Sequence, residues 1–270
     1  MMRLPGRLVL LGHPVGHSLS PSMQNAALAS AGIALRYEAL DVEPRAFDET
    51  IAHLRRERAA GNVTVPHKER MRLACDVLTP LAEHVGAVNT FHVDDEDRLV
   101  GDNTDVGGFA AAVAPNIGTR PAGISVGIIG AGGAAAAVLA AVESWPRVTA
   151  HVYNRTPERA AILCERFGSV AHAVDDIGVI GGAQLVVNAT SVGLRDDSFP
   201  IDVALLSPDS VVMDLVYRPG ETAWVRAARS KGHRASDGLA MLVEQGALAF
   251  ERWFGVPADR PAMWRAVQST

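Results

Sequence analysis

The segment Ile124–Ala137 constrains the fold more than any other part of the chain. A short apolar run, Ile124–Ile129, ends at the sequence GAGG and passes directly into an alanine-rich stretch. This order predicts a buried strand, a tight turn and the start of a helix. Gly130 permits the turn, Gly132 lets a phosphate approach the backbone, and Ala135 lets the helix pack closely on the sheet.

The helix start after this turn is a candidate anion site. Its first N–H groups have no partner within the helix and carry a partial positive charge, which suits a pyrophosphate. Turns of this kind also occur as plain connections between a strand and a helix. The turn alone therefore leaves ligand binding open, and the flanking sequence has to decide.

A second predicted strand, Val148–Tyr153, ends at Asn154, where NAD-binding folds usually have an acid for the ribose hydroxyls. Here Arg155 and Thr156 follow instead, with Arg159 one helical turn later. A guanidinium pairs with a phosphate through two hydrogen bonds, so the sequence predicts a site for the 2′-phosphate of NADP. The alternative is a solvated arginine pair at a helix start.

Composition excludes several classes of protein. The chain has 270 residues, a length that suits two domains, and its formal net charge of −5 argues against nucleic-acid binding. The two cysteines lie far apart, with no Cys or His at metal-ligand spacing, so neither a zinc site nor a disulfide framework is expected. No apolar run is long enough for a signal peptide or a membrane span. We expect a cytoplasmic protein without a membrane partner.

Polar residues follow several predicted strands of the N-terminal half. After the strand Leu8–Leu11, Ser20 is predicted to cap a helix, which leaves Ser18 in the loop with a free hydroxyl. In open α/β sheets, ligands bind at such strand ends.

The next strand is predicted over Val63–Val65, with Asn62 and Thr64 projecting to one side. Lys68 then begins a helix, although the helix dipole disfavours a cation there. A surface lysine is the alternative explanation for that position.

Two further polar residues stand out in helices. Asp105 ends the sequence GDNTD and is either a helix cap or a functional acid, with a helix expected as far as Ala114. The loop 115–123 then serves as the linker candidate before the glycine-turn strand. Gln245 lies on the apolar face of a long C-terminal helix that follows Asp237, where the helical spacing predicts core residues.

At this point the sequence resembles the shikimate dehydrogenase family. The motifs that carry the resemblance, in chain order, are SLSP (18–21), NVTVPHK (62–68), GAVNT (86–90), GDNTD (101–105), GAGGA (130–134), NRT (154–156), NATSVG (188–193), DLVYRP (214–219) and DGLAMLVEQGALAF (237–250). The resemblance implies an α/β enzyme of two domains with the active site in the cleft between them. Residues 1–105, completed by the C-terminal helices 238–270, would bind the substrate. Residues 106–237 would form a Rossmann domain for NADP.

The implied reaction is the reversible reduction of 3-dehydroshikimate to shikimate with NADPH. The resemblance makes Lys68 and Asp105 the catalytic pair. The implied substrate-binding residues are Ser18, Ser20, Asn62, Thr64, Asn89, Tyr217 and Gln245. The implied cofactor-binding residues are Gly130, Ala131, Gly132, Gly133, Ala134, Asn154, Arg155, Thr156, Arg159, Thr190, Val216, Gly238 and Met241.

Carbonyl reduction needs a hydride at carbon and a proton at oxygen, and Lys68 can supply the proton and stabilise the developing alkoxide. Whether Lys68 acts as a general base in the reverse direction or only as a fixed cation is open. Asp105 would orient Lys68 and bind a substrate hydroxyl.

The sequence departs from the family at two places that bear on ligands. Gly61 replaces a larger apolar residue, which predicts a looser floor beneath the substrate ring. Ala135–Ala137 stand where an arginine is common, which predicts one phosphate contact fewer.

Three alternatives remain at this stage. They are a quinate/shikimate dehydrogenase, an aminoshikimate-type relative and a non-catalytic NADP-sensing module. The sequence does not decide between a monomer and a homodimer.

Overall fold

The computed structural model describes residues 4–269, which divide into two compact units. The first unit comprises the chain up to Gly108 together with the chain from Leu242 onward, and the second comprises Phe109–Met241. These boundaries lie three and four residues from those predicted (108 − 105 = 3; 241 − 237 = 4). Among the described residues, no helix is long and apolar enough to cross a membrane.

The first unit is built on a mixed sheet of six strands. The strands are β1 (Leu8–Gly12), β2 (Tyr37–Asp41), β3 (Ala60–Val63), β4 (Val77–Leu78), β5 (Thr90–Val93) and β6 (Leu99–Asp102). Their order in the sheet is β2-β1-β3-β5-β6-β4. β1 is buried along its whole length and pairs in parallel with both neighbours, as its continuous apolar sequence requires. β5 runs antiparallel to β3 and β6.

Helices cover this sheet. In the N-terminal part they are α1 (Ser20–Ser30), α2 (Phe47–Arg56), α3 (Lys68–Ala74), α4 (Pro80–Val85) and the start of α5 (Asp105–Ile117). A core that includes Val9, Phe47, Leu54 and Phe91 lies beneath α2. This packing leaves the carboxyl ends of β1 and β3 for polar side chains.

The second unit is an all-parallel sheet of six strands whose order is that of a Rossmann fold. Its strands are β7 (Ser125–Ile129), β8 (Thr149–Tyr153), β9 (Ala171–Ala173), β10 (Leu185–Asn188), β11 (Val211–Asp214) and β12 (Arg234–Ser236). Its helices are α6 (Gly133–Val142), α7 (Pro157–Arg166), α8 (Ile177–Gly181) and α9 (Ala223–Ser230). The order β12-β11-β10-β7-β8-β9 reverses direction between β7 and β10, where open sheets of this type bind dinucleotides.

The last two helices are α10 (Leu239–Phe254) and α11 (Arg260–Gln268). In the first unit, α11 packs against α1. The Asp237 carboxylate accepts a hydrogen bond from the Leu239 N–H and so caps the start of α10.

Two local predictions were wrong. The strand predicted over Val63–Val65 is Ala60–Val63, because pairing with β1 extends it backwards through Gly61 and the chain turns after Val63. Ser20 does not cap α1, since the helix begins at Ser20 and the Ser18 hydroxyl accepts the Ser20 N–H at 3.2 Å. The Ser18 oxygen therefore accepts one hydrogen bond, while its O–H group has no acceptor within residues 4–269 and can still donate.

The predicted linker 115–123 begins too early. α5 continues through Pro115 to Ile117, and the Gly118 N–H still donates to the Ala114 carbonyl. A proline in the last turn removes only one helical hydrogen bond, so packing of the helix overrides it.

Candidate functional site

Lys68 and Asp105 form a close ion pair in the first unit. Lys68 is the first residue of α3 and Asp105 the first of α5, and the Lys68 Nζ lies 2.6 Å from the Asp105 Oδ2. The lysine side chain is 17% exposed and the carboxylate 6% exposed. The pair is thus mostly desolvated, yet the ammonium stays accessible to a small molecule.

Asp105 is held from two further directions. The Asn89 Nδ2 donates to its Oδ1 at 2.8 Å, and its own backbone N–H donates to the Asn103 Oδ1 at 3.1 Å. The Asn103 amide donates in turn to the Ala87 carbonyl. Such a network fixes which oxygen faces Lys68.

Asn89 is a buried centre of this network. Its amide oxygen accepts the Thr104 N–H at 2.7 Å, and its Nδ2 also lies near the Thr104 hydroxyl (3.0 Å) and the Gln245 Oε1 (3.3 Å). Gln245 reaches Asn89 from α10 and donates to the Leu242 carbonyl. Gln245 is therefore not an ordinary core residue, and its amide joins the C-terminal helix to the catalytic candidates.

The start of α3 is anchored by a residue that the sequence did not single out. His67 is buried, and its Nε2 donates to the Val42 carbonyl at 2.6 Å. Its ring packs on Phe47 with 5.0 Å between ring centroids. This contact holds the backbone immediately before Lys68.

The other substrate-side candidates lie near the carboxyl ends of β1 and β3. Asn62 and Ser20 are buried, whereas Ser18 and Thr64 are partly exposed. The Thr64 N–H donates to the Leu11 carbonyl, which holds the segment after β3 beside the end of β1. The structure therefore brings all four into one region of the first unit. Among residues 4–269, no group of three or more acidic, histidine or cysteine side chains is placed to hold a metal ion.

The glycine turn leaves space and uncapped donors for an anion. Gly130 adopts φ +115°, and a Cβ there would lie 2.9 Å from the Ala189 carbonyl oxygen, so only glycine fits between β7 and β10. A Cβ on Gly132 would meet no atom within 4 Å, so space is open above its backbone. α6 has no side-chain cap at its N-terminus, and residues 131–134 are partly exposed. The donors of this turn are available to an anion.

Arg155 and Arg159 flank the start of α7 and are both exposed. Neither forms an ion pair or a side-chain hydrogen bond within residues 4–269. Thr156 is the N-cap residue but makes no side-chain cap, and the Asn154 amide donates to its carbonyl at 2.8 Å. Two unpaired guanidinium groups at a helix N-terminus repel each other and the helix dipole, and a bound phosphate would neutralise both.

The remaining cofactor candidates lie at the carboxyl edge of the same sheet. The Thr190 hydroxyl donates to the Asn188 Oδ1 at 2.6 Å at the end of β10. Val216 accepts the Gly238 N–H at 3.0 Å, and a Cβ on Gly238 would overlap the Leu215 carbonyl. Tyr217 follows Val216 and is partly exposed, and Met241 is buried.

A buried carboxylate joins the loops that follow β10 and β11. Asp214 accepts hydrogen bonds from the Asn188 Nδ2 (2.8 Å), the Val216 N–H (3.1 Å) and the Thr222 hydroxyl (2.8 Å). Burial, the largest influence, raises the pKa of Asp214 to about 6 despite these three donors. Arg218 adds a second link between the loops, because its guanidinium donates to the Gly193 and Asp196 carbonyls.

Known proteins match nearly the whole length of this chain. Models of the shikimate dehydrogenase substrate-binding domain and of the shikimate 5′-dehydrogenase C-terminal domain match residues 10–91 and 238–268. The NADP(+) shikimate dehydrogenase of Rubrobacter xylanophilus is 43% identical, with 96% of this chain and 94% of that protein covered. The chain belongs to the shikimate dehydrogenase family.

Solved structures of family members agree with the fold. Shikimate 5-dehydrogenase from Thermus thermophilus, in complex with NADP(H) and shikimate, is 41% identical, with a TM-score of 0.88 and 99% of each chain covered. Quinate dehydrogenase from Corynebacterium glutamicum, in complex with NAD, is less similar, at 29% identity and a TM-score of 0.86 with 97% of this chain and 98% of that chain covered. The α/β fold with a Rossmann unit is thereby confirmed for this member of the shikimate dehydrogenase family.

One expected departure from the family was wrong. Gly61 does not loosen the floor of the site, because it pairs with Val9 in β1 and a Cβ on Gly61 would overlap the Val9 carbonyl. The glycine thus allows a close approach of two strands and leaves no void. Ala135–Ala137 are buried in α6, so these positions carry packing contacts in this shikimate dehydrogenase family member.

Proposed function

We propose that this protein is a shikimate dehydrogenase that reduces 3-dehydroshikimate to shikimate with NADPH, reversibly. The observation that carries the proposal is the Lys68–Asp105 pair, 2.6 Å apart and supported by the amide of Asn89. A cation fixed beside a carboxylate, surrounded by neutral amides and hydroxyls, suits a polyhydroxylated substrate with one reacting carbonyl.

The choice of lysine at position 68 supports a proton-transfer role. The sequence contains two lysines, Lys68 and Lys231, against 23 arginines (25 − 2 = 23). An arginine would also pair with Asp105, but a guanidinium keeps its proton at every accessible pH. A chain that uses arginine for nearly all of its positive charges has a lysine where a proton must move.

The proposed chemistry divides between two side chains. Bound NADPH supplies the hydride to the carbonyl carbon. Lys68 stabilises the charge that develops on the carbonyl oxygen and transfers a proton to it, which completes the alcohol. Asp105 keeps the ammonium in place and accepts a hydrogen bond from a substrate hydroxyl.

The substrate residues supply neutral donors and acceptors. Ser18 and Ser20 bind the carboxylate, and Asn62, Thr64, Asn89 and Gln245 bind the ring hydroxyls or orient the groups that do. Tyr217 approaches the substrate.

The cofactor residues fit NADP rather than NAD. Gly130–Ala134 bind the pyrophosphate at the start of α6, and Arg155 and Arg159 bind the 2′-phosphate, with Asn154 and Thr156 beside them. Thr190, Val216, Gly238 and Met241 lie at the nicotinamide end. The unpaired state of both arginines supports this assignment, because an NAD site needs an acid there. The cytoplasm remains our prediction for location, and a monomer or a homodimer for assembly.

The test is a spectrophotometric assay of NADP⁺ and NAD⁺ reduction with shikimate and with quinate. We expect turnover with shikimate and NADP⁺, and a loss of about 10²- to 10⁴-fold in kcat for Lys68→Ala, because the proton donor is removed. Lys231→Ala is the matched control, since it removes the only other lysine side chain, which is exposed, and should leave kcat unchanged.

Lys68→Arg separates the two roles of the ammonium. We expect it to be as slow as Lys68→Ala, because the guanidinium holds its proton. A Lys68→Arg variant with nearly full activity would identify residue 68 as a fixed cation only. Faster turnover of quinate than of shikimate by the wild type would contradict the proposed substrate.

A further inference from the structure

The side-chain amide of Asn62 is held in one orientation by two buried partners. The Tyr37 hydroxyl donates to the Asn62 Oδ1 at 2.8 Å, and the Asn62 Nδ2 donates to the Asn89 carbonyl at 3.2 Å. Reversing the amide would bring its oxygen against that carbonyl, where two acceptors repel. Both contacts therefore require the same orientation.

This orientation leaves one hydrogen-bond donor of Asn62 unused. A primary amide has two N–H groups, and within residues 4–269 the Asn62 Nδ2 has one acceptor, the Asn89 carbonyl. The neighbouring Asn89 differs, because its Nδ2 faces Asp105, Thr104 and Gln245 and has no N–H to spare. Of these two amides, Asn62 is the one that can donate to a ligand.

Tyr37 is itself held rigidly. Its backbone N–H and carbonyl are both bonded to the Asn25 side chain, at 2.9 and 3.0 Å. Its ring is stacked on Trp253 at 6.0 Å between centroids. The phenol oxygen is therefore fixed relative to the sheet that carries Asn62.

We propose that Tyr37 is a positioning residue for the substrate. Its hydroxyl donates a hydrogen bond to the side-chain oxygen of Asn62, and the Asn62 amide is therefore a donor toward the ligand. The group recognised is an oxygen with a free lone pair, a hydroxyl or carboxylate oxygen of a polyhydroxylated acid. This inference rests on the proposed function. It adds a residue on β2 that contacts a substrate-binding side chain and acts through it.

Tyr37→Phe tests the proposal, because it keeps the ring on Trp253 and removes only the hydroxyl. The Asn62 oxygen then lacks its donor, and the amide loses its single orientation. We expect the KM for shikimate to rise about five- to tenfold, with kcat within about twofold of the wild type and the KM for NADP⁺ unchanged. Lost ground-state binding affects KM in this way, whereas a general loss of structure would lower kcat and the cofactor affinity as well.

Thr90→Val is the matched control. It also removes one buried hydroxyl of the same sheet, which accepts from Trp253 and donates to the Gly61 carbonyl, but it leaves the Asn62 side chain untouched. We expect a loss of stability in Thr90→Val with no change in the KM for shikimate. An equal rise in KM in both variants would overturn the role of Tyr37.

A double-mutant cycle decides whether Tyr37 acts through Asn62. In the background of Asn62→Ala, we expect Tyr37→Phe to have no further effect on the KM for shikimate. Additive effects would overturn the proposal. If Tyr37→Phe does not fold, Asn62→Asp replaces it, because the carboxylate still accepts from Tyr37 but has no N–H to donate. An unchanged KM in Asn62→Asp would equally overturn the proposal.

The proposed function and the role of Tyr37 are contradicted by different results. A wild-type protein that does not turn over shikimate contradicts the proposed function and this inference with it. An active wild type with an unaltered KM in Tyr37→Phe contradicts the role of Tyr37 alone.

Discussion

Asp214 couples the stability of the Rossmann unit to pH. Its carboxylate is fully buried between β10, β11 and the start of α9, and burial raises its pKa from 3.8 to about 6. The neighbouring Asp237, whose own pKa is raised mainly by burial, adds a smaller effect in the same direction. Replacing Asp214 by asparagine keeps the shape and one oxygen but removes the titration.

The magnitude follows from the difference between the two pKa values. Between about pH 4 and pH 6 the native state keeps a proton on Asp214 that the unfolded chain has released, so protonation favours the native state. This stabilisation is fully present below 3.8 and is lost as the pH rises through about 6. At about 1.4 kcal/mol per pKa unit, it amounts to about 3 kcal/mol.

The assay is denaturant unfolding of the wild type and of Asp214→Asn at several pH values from 4 to 7. Other carboxyl groups titrate in both proteins, so their effects cancel in the difference between the two free energies of unfolding. We expect this difference to shift by roughly 2.5 kcal/mol toward the wild type as the pH falls from 7 to 4, because the unfolded carboxyl is still partly ionised at pH 4. The hydrogen bond with Thr222 must reverse in the variant, but that cost is the same at every pH.

Asp209→Asn is the control, because it changes the net charge equally at an exposed position. It should follow the wild type over the whole pH range. Parallel profiles for the wild type and Asp214→Asn would refute the reasoning, since they would mean that the Asp214 carboxyl has the same affinity for protons in the folded and unfolded chains.

Two further predictions concern the cofactor side. Gly130→Ala should destabilise the protein by about 1–3 kcal/mol and weaken NADPH binding, because φ is +115° and the new Cβ would lie 2.9 Å from the Ala189 carbonyl oxygen. Denaturant unfolding and NADPH titration measure the two effects, and a fully stable variant would contradict the geometry. Arg155→Ala should raise the KM for NADP⁺ about tenfold or more and leave the KM for NAD⁺ unchanged, because only NADP⁺ carries the 2′-phosphate. Steady-state kinetics with both cofactors measures this difference, and an equal rise in KM for both cofactors would contradict the assignment.

The strands and helices around the glycine turn could be predicted from the sequence because their signals are local. β7, the turn at Gly130 and α6 follow from one short apolar run, one glycine cluster and one alanine-rich stretch. Short edge strands were not predicted, since β4, with two residues, and β9 and β12, with three each, have too little sequence for a periodic pattern. These strands form because they pair with a neighbouring strand in the folded sheet.

Individual site residues could be named from motifs, but their partners could not. The sequence resemblance identified Asn62 and Asn89 as two similar amides. In the fold they differ, because Tyr37 bonds the oxygen of Asn62 while Asp105 and Thr104 occupy the amide of Asn89. A motif shows which residue is present. Which of its donors and acceptors already have partners depends on the residues that the fold places beside it.

By itself, the sequence determined that this protein has a glycine turn between a strand and a helix, a following basic segment and a set of polar residues at strand ends. These features are local, because propensity and spacing act over a few residues. Only the tertiary structure decided that Gln245 reaches Asn89 across 156 residues and that Asp214 joins two loops of the Rossmann sheet. Sheet order and helix packing bring such residues together, and they depend on burying the whole apolar surface at once, which no short stretch of sequence encodes.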